Sequence, residues 1–263
     1  MRAAVRSPED QDKTAHLLAM SERHQTALSL HRADLHTSGS FDEALAGCEG
    51  LIHVAAVARL SAPEPQRQIV DPSVNGARNV LEAATRQGVR RVVLTSSIAA
   101  VGNYRSSQQR PLSEADWNDA ATLESDPYGL AKREAERFAW RESEAAPWDL
   151  VVINPGMVMG PVFNKRHSRA SPIFVRDIMR KVNPAHPKIC LPIVDARDVA
   201  FAHLAAYRRP DAAGRHIVAS ENRWIREIAE ILKVEYPERS LRMSELPNVV
   251  VKLAATFSKH LDP

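Results

Sequence analysis

Short apolar runs alternate with amphipathic segments along most of this chain, and that alternation restricts it to a parallel sheet covered by crossover helices. Leu51–Ala56, Val89–Thr95 and Leu150–Ile153 are largely apolar stretches too short for helices, as expected of buried strands of a parallel sheet. Ala3–Arg6 and Ala27–Ala33 read as two further strands. Between the runs lie helical signals. Pro8–Met20 is one, with proline near its first turn. Ser40-Phe41-Asp42-Glu43 has the spacing of a capping box, opening a short helix that stops at Gly47. Pro72 begins a helix that turns Val74, Val80, Leu81 and Ala84 inward and ends at Gly88. Ser125-Asp126-Pro127 is a capped helix start, with Leu130, Ala131, Ala135 and Phe138 on its apolar face.

Beyond Asn154-Pro155-Gly156 the alternation loosens. The stretch 163–187 is polar, basic and irregular apart from an amphipathic patch near Ile173–Met179. A helix over Val199–Tyr207, a strand over Arg215–Ala219 and a helix over Ile225–Val234 follow. The expected organisation is a doubly wound α/β core over 1–160 and a small C-terminal lobe over 161–263. About 190–220 return to the core.

The chemistry gathers at two places. Thr95-Ser96-Ser97 puts hydroxyls at the C-terminal end of a strand, the edge at which open α/β sheets bind ligands. Tyr128 and Lys132 stand one helical turn apart in the helix that Asp126 opens. A free phenol titrates near ~10, so a catalytic tyrosine needs a positive charge beside it at neutral pH, and Lys132 can supply one. A serine hydroxyl can orient a substrate oxygen while the phenol delivers its proton. The net charge of +3 arises from 35 basic and 32 acidic residues spread along the chain, with no like-charged block to suit nucleic acid. No run approaches the ~18 residues of a membrane span, and the first residues have no apolar signal region. Cys48 and Cys190 fit no metal or redox spacing, and neither do His16, His24, His31 and His36. These readings point to a soluble cytoplasmic protein without a metal.

The chain resembles the extended short-chain dehydrogenase/reductases of the NAD-dependent epimerase/dehydratase family, and among them the dihydroflavonol-4-reductase-like aldehyde and ketone reductases. The resemblance rests on Arg2–Arg6, Ala33-Asp34-Leu35, Phe41–Cys48, His53–Ala56, Leu94–Ser97, Tyr128 with Lys132, and Asn154–Pro161, which occur in family order. It implies a Rossmann-type fold binding NADP(H), or NAD(H), and a small-molecule carbonyl or alcohol, as a monomer or homodimer. Ser97 would hold the substrate oxygen. Tyr128 would be the general acid, with Lys132 lowering its pKa and binding the nicotinamide ribose. Asp34 and Leu35 would flank the adenine; Val54, Ala55 and Ala56 would line the cofactor; Thr95 and Ser96 would lie beneath the nicotinamide. Pro155, Gly156, Met157 and Val158 would hold the carboxamide through backbone groups. Arg6 and Lys13 match positions that contact a 2′-phosphate. Met157, Val158 and Met159 would make the substrate pocket apolar.

Two departures stand out. Ser73 aligns where many relatives carry an active-site asparagine. The family's opening strand and Gly-x-x-Gly-x-x-Gly turn, about 25–30 residues that cradle the pyrophosphate, have no counterpart after Met1. The end at Leu261-Asp262-Pro263 also falls short of the family's final helices. Both fit a fragmentary gene reading with a misplaced start codon. Without the first strand, the Ala3–Arg6 and Leu51–Ala56 strands must pair directly or the sheet must split. A nucleotide-sugar epimerase or dehydratase, a 3β-hydroxysteroid dehydrogenase-like enzyme, and a non-catalytic cofactor sensor are the alternatives.

Overall fold

The computed structural model describes residues 1–102, 110–164 and 171–246. Part of the irregular stretch expected over 163–187, and the C-terminal end, lie outside the described residues. The chain divides into two compact units, the first made of Met1–Gly156 and Ala196–Val218, the second of Met157–Asp195 and Ala219–Pro263.

In chain order the first unit opens with β1 (Arg2–Val5), α1 (Gln11–Arg23), β2 (Ser29–Arg32), α2 (Asp42–Leu45) and β3 (Gly50–His53). Then come α3 (Asp71–Arg86), β4 (Arg91–Thr95), α4 (Pro127–Ser143) and β5 (Asp149–Pro155). The second unit supplies β6 (Met157–Met159), α5 (Ser171–Met179), β7 (His186–Pro187) and β8 (Cys190–Asp195). The chain returns to the first unit for α6 (Ala196–Arg208) and β9 (Gly214–Val218), and ends its described part with β10 (Glu221–Trp224), α7 (Ile225–Glu235) and β11 (Glu245–Leu246).

The first unit's main sheet is parallel in the order β3-β4-β5-β9. Alternation along its strands sorts the core into two layers. Val92, Leu94, Leu150 and Val152 pack with Val80, Leu81 and Ala84 of α3 and Phe138 and Ala139 of α4. Val93, Val151 and Ile153 face the other way, onto Ala206 of α6. Valines at 92, 93, 151 and 152 are wholly buried. Each such side chain stabilises the fold by about 1.5–3 kcal/mol relative to leaving it in water.

β1 and β2 form a separate parallel pair. The sheet is split, and no hydrogen-bonded pairing joins β1 to β3 among the described residues. α1 is weakly anchored, with Thr14 as its buried residue. In the second unit β8 lies between parallel β6 and antiparallel β10, and β7 pairs with β11. Ile178 of α5 and Ile225, Ile228 and Ala229 of α7 form that unit's own core.

Two local expectations differ from the structure. Ser40 does not cap α2, because its hydroxyl already donates to the Asp34 carbonyl and accepts the Asp34 N–H. That helix begins at Asp42 with no side-chain cap. Nor does Pro72 start its helix, whose path opens earlier as a π-turn over Gln66–Val70. The proline, with no N–H to give, sits where the wide turn passes into α geometry.

One long-range tie fixes the far end of the sheet. The Arg91 guanidinium donates to the carbonyls of Ala206, Arg209 and Ala212, tying β4 to the end of α6 and the turn that follows it.

Candidate active site

Tyr128 and Lys132 take their positions from the start of α4. The Asp126 carboxylate accepts the Gly129 N–H at 2.9 Å, so it caps the helix two residues before the tyrosine. Its other oxygen accepts the Asn118 amide at 3.1 Å. Gly129 is required there, because an added Cβ would lie 2.2 Å from Asp126 Oδ2.

Ser97 arrives from the other side. Just past the end of β4 it caps a single 3-10 turn, accepting the Ala99 N–H at 3.1 Å. Its hydroxyl is hydrogen-bonded to the phenol of Tyr128. Lys132 Nζ lies 6.0 Å from the centre of the Tyr128 ring. The three expected catalytic residues therefore share one locus.

The electrostatics differ from expectation in one respect. Burial pushes the Tyr128 phenol up, the Ser97 hydrogen bond pulls it down, and the Asp126 charge pushes it up again, for a net rise. Burial also drives Lys132 down to about 8, against a restoring pull from Glu136. At neutral pH the site thus holds a protonated phenol beside an ammonium that sheds its proton easily.

Lys132 also lines a cavity, together with Leu35, Ala55, Ala56, Ser73, Thr95 and Ser96 among others. Five residues of the expected cofactor set thereby share a wall with Lys132. Small side chains and one cation suit the ribose and nicotinamide end of a dinucleotide. Val54, by contrast, is exposed. Asp34 turns its carboxylate to the His36 N–H. Pro155 ends β5, and the Gly156 N–H is donated to the Val218 carbonyl. Met157 and Val158 belong to the second unit. Arg6 is exposed, Lys13 pairs with Asp10 at 2.5 Å, and neither lines the cavity. Ser73 lines it but donates its hydroxyl to the Ile69 carbonyl at 2.6 Å.

Several further residues meet here. Thr95 Oγ1 and His203 Nε2 are 2.6 Å apart, and His203 Nδ1 lies 2.7 Å from the Val199 carbonyl. That carbonyl can only accept, so Nδ1 carries the proton and Nε2 accepts from Thr95. The threonine oxygen is left to face the cavity as an acceptor. His53 also lines the cavity. Burial, and then the positive charge of Lys132, hold its pKa down to about 4. Finally, Glu136 is fully buried one turn beyond Lys132. Its carboxylate accepts from Ser96 Oγ at 2.6 Å, Asn154 Nδ2 at 2.9 Å and Arg215 Nε at 2.5 Å.

Comparisons with known proteins identify the family. The model of the NAD dependent epimerase/dehydratase family matches residues 2–219. The bifunctional dihydroflavonol 4-reductase/flavanone 4-reductase of Pyrus communis is 32% identical over 249 residues, covering 92% of this chain and 71% of the relative. Cinnamoyl-CoA reductase 1 of Petunia hybrida is 35% identical over 243 residues, covering 90% and 70%. Among solved structures, the yeast methylglyoxal/isovaleraldehyde reductase Gre2 complexed with NADPH superposes with a TM-score of 0.77 at 26% identity, covering 90% of this chain and 75% of that one. No helix among the described residues is long and apolar enough to cross a membrane.

Proposed function

The chain belongs to the NAD dependent epimerase/dehydratase family, and from that premise we propose that it is an NADP(H)-dependent oxidoreductase that reduces a small-molecule aldehyde or ketone. The observation that carries this reading is the hydrogen bond between Ser97 and Tyr128, with Lys132, which walls the cavity, one helical turn from the tyrosine. Bound nicotinamide would supply the hydride to the carbonyl carbon. Tyr128 would give its proton to the carbonyl oxygen while Ser97 holds that oxygen in line. A phenol kept protonated by burial suits an acid in the reductive direction. Lys132 would hold the nicotinamide ribose and stabilise the phenolate left after transfer. Thr95, fixed as an acceptor by His203, would receive an N–H of the cofactor. Arg6, exposed past the end of β1, remains the basic residue suited to a 2′-phosphate, whereas Lys13 is engaged by Asp10.

The experiment is direct. NADPH fluorescence is titrated with the protein, and NADPH consumption is then followed over a panel of aromatic and aliphatic aldehydes and ketones. Saturable binding with carbonyl-dependent consumption is expected. Binding without consumption on any carbonyl supports a cofactor sensor, and absence of binding overturns the oxidoreductase reading.

A further inference from the structure

Glu136 is the one acidic side chain in the buried class among the described residues, and proton transfer as described above gives it no part. Its surroundings supply one. It follows Tyr128 and Lys132 along a single stripe of α4, each a turn from the next. Its Oε2 accepts the Ser96 hydroxyl and the Asn154 amide, and that same amide nitrogen donates to the Ser97 carbonyl at 3.2 Å. The carboxylate therefore grips the side chain of Ser96 directly and the backbone of Ser97 through one intermediary. Arg215 anchors it from β9, donating also to the Glu114 carbonyl and lying 3.8 Å over the Trp117 ring. A buried carboxyl group held by this many donors is fixed in place.

We propose that Glu136 is a positioning residue of the active site, holding Ser97 and Lys132 in register with the Tyr128 phenol from the protein interior. The proposal rests on the reductase reading for its kinetic consequences only. The groups facing Lys132 are Tyr128 and Glu136 on its own helix and His53 on β3, with Arg215 standing behind Glu136. His53 is neutral at working pH, so Glu136 is the negative charge that keeps Lys132 an ammonium.

The test compares Glu136→Gln, Glu136→Asp and, should the first fold poorly, the internally neutral pair Glu136→Gln with Arg215→Met. Lysine titration is followed by NMR on protein carrying ¹³C-labelled lysine, with the Lys132 signal assigned from Lys132→Arg. Removing the carboxylate is expected to move the Lys132 midpoint down by about 1 unit. Glu136→Asp should restore most of that shift. In the turnover assay kcat is expected to fall about 10–100-fold, with the NADPH KM changed less than about 3-fold, because register rather than binding is lost. The basic limb of the pH profile should move with the NMR midpoint. A folded Glu136→Gln protein with an unchanged Lys132 midpoint overturns the proposal. If the parent protein turns over no carbonyl, the reductase reading fails, and the NMR titration still decides the role of Glu136.

Discussion

Arg215 Nε lies 2.5 Å from Glu136 Oε1, and the two side chains are 8% and 0% exposed. An ion pair this dry stabilises little relative to an apolar pair of the same shape, yet breaking one half leaves a charge in the interior. Arg215→Met is therefore expected to cost about 3–5 kcal/mol in urea unfolding, well above the effect of a surface substitution. A loss below about 1 kcal/mol would show that water reaches the pair.

Removal of the phenolic oxygen separates binding from chemistry. Tyr128→Phe keeps the ring beside Lys132 and deletes the group that Ser97 contacts. Carbonyl reduction is expected to fall at least about 100-fold, with NADPH binding within a few-fold of the parent. Retained turnover would move the acid role to another residue.

His53 links stability to pH. Its folded pKa of about 4 lies below the unfolded value near 6.5, so between those limits the unfolded chain binds the extra proton. Its contribution is complete above pH 6.5 and is lost as pH falls toward 4. The loss attributable to this residue is about 3 kcal/mol. Unfolding free energies at pH 7 and pH 4.5, for the parent and His53→Leu, should show a steeper decline in the parent. His203, also pushed down by burial, is common to both proteins and cancels in the comparison.

The helix start that presents Tyr128 can be probed through its effect on stability. Asp126→Ala removes the Gly129 cap and is expected to cost about 1–2 kcal/mol, whereas Asp126→Asn should cost less. Gly129→Ala should resemble Asp126→Ala, since its methyl would displace the capping carboxylate. Thermal unfolding of the three variants gives the order, and a harmless Gly129→Ala would refute the crowding.

What could be read from the chain alone was what its neighbours in sequence determine. Apolar runs marked β3, β4 and β5, and Asp126-Pro127 marked the start of α4, because strand burial and helix capping act over a few residues. Tyr128 and Lys132 were visible for the same reason. The rest of the site depends on distant partners. Glu136 could have drawn notice as an acid on the Tyr128–Lys132 stripe, but nothing local announces Asn154 or Arg215 as its donors. His203 likewise becomes a partner of Thr95 only once α6 lies on the sheet. The small sheet of the second unit is not legible in the chain alone, because β6 and β10 have three and four residues and β10 (Glu221-Asn222-Arg223-Trp224) is mostly polar. The phenol's upward shift was missed because burial, which outweighs every nearby charge at Tyr128, cannot be read from spacing.

The ties from Arg91 to the end of α6, and from Arg215 to Glu136, also set an order in time. Ser97 and Tyr128 are both synthesised well before β9, yet the carboxylate beneath them meets its counter-charge only when residue 215 arrives. A nascent chain ending before α6 would carry all three reactive groups and hold Glu136 with no guanidinium to receive it. The acid site would take its working form late on the ribosome, as contacts spanning most of the unit close together.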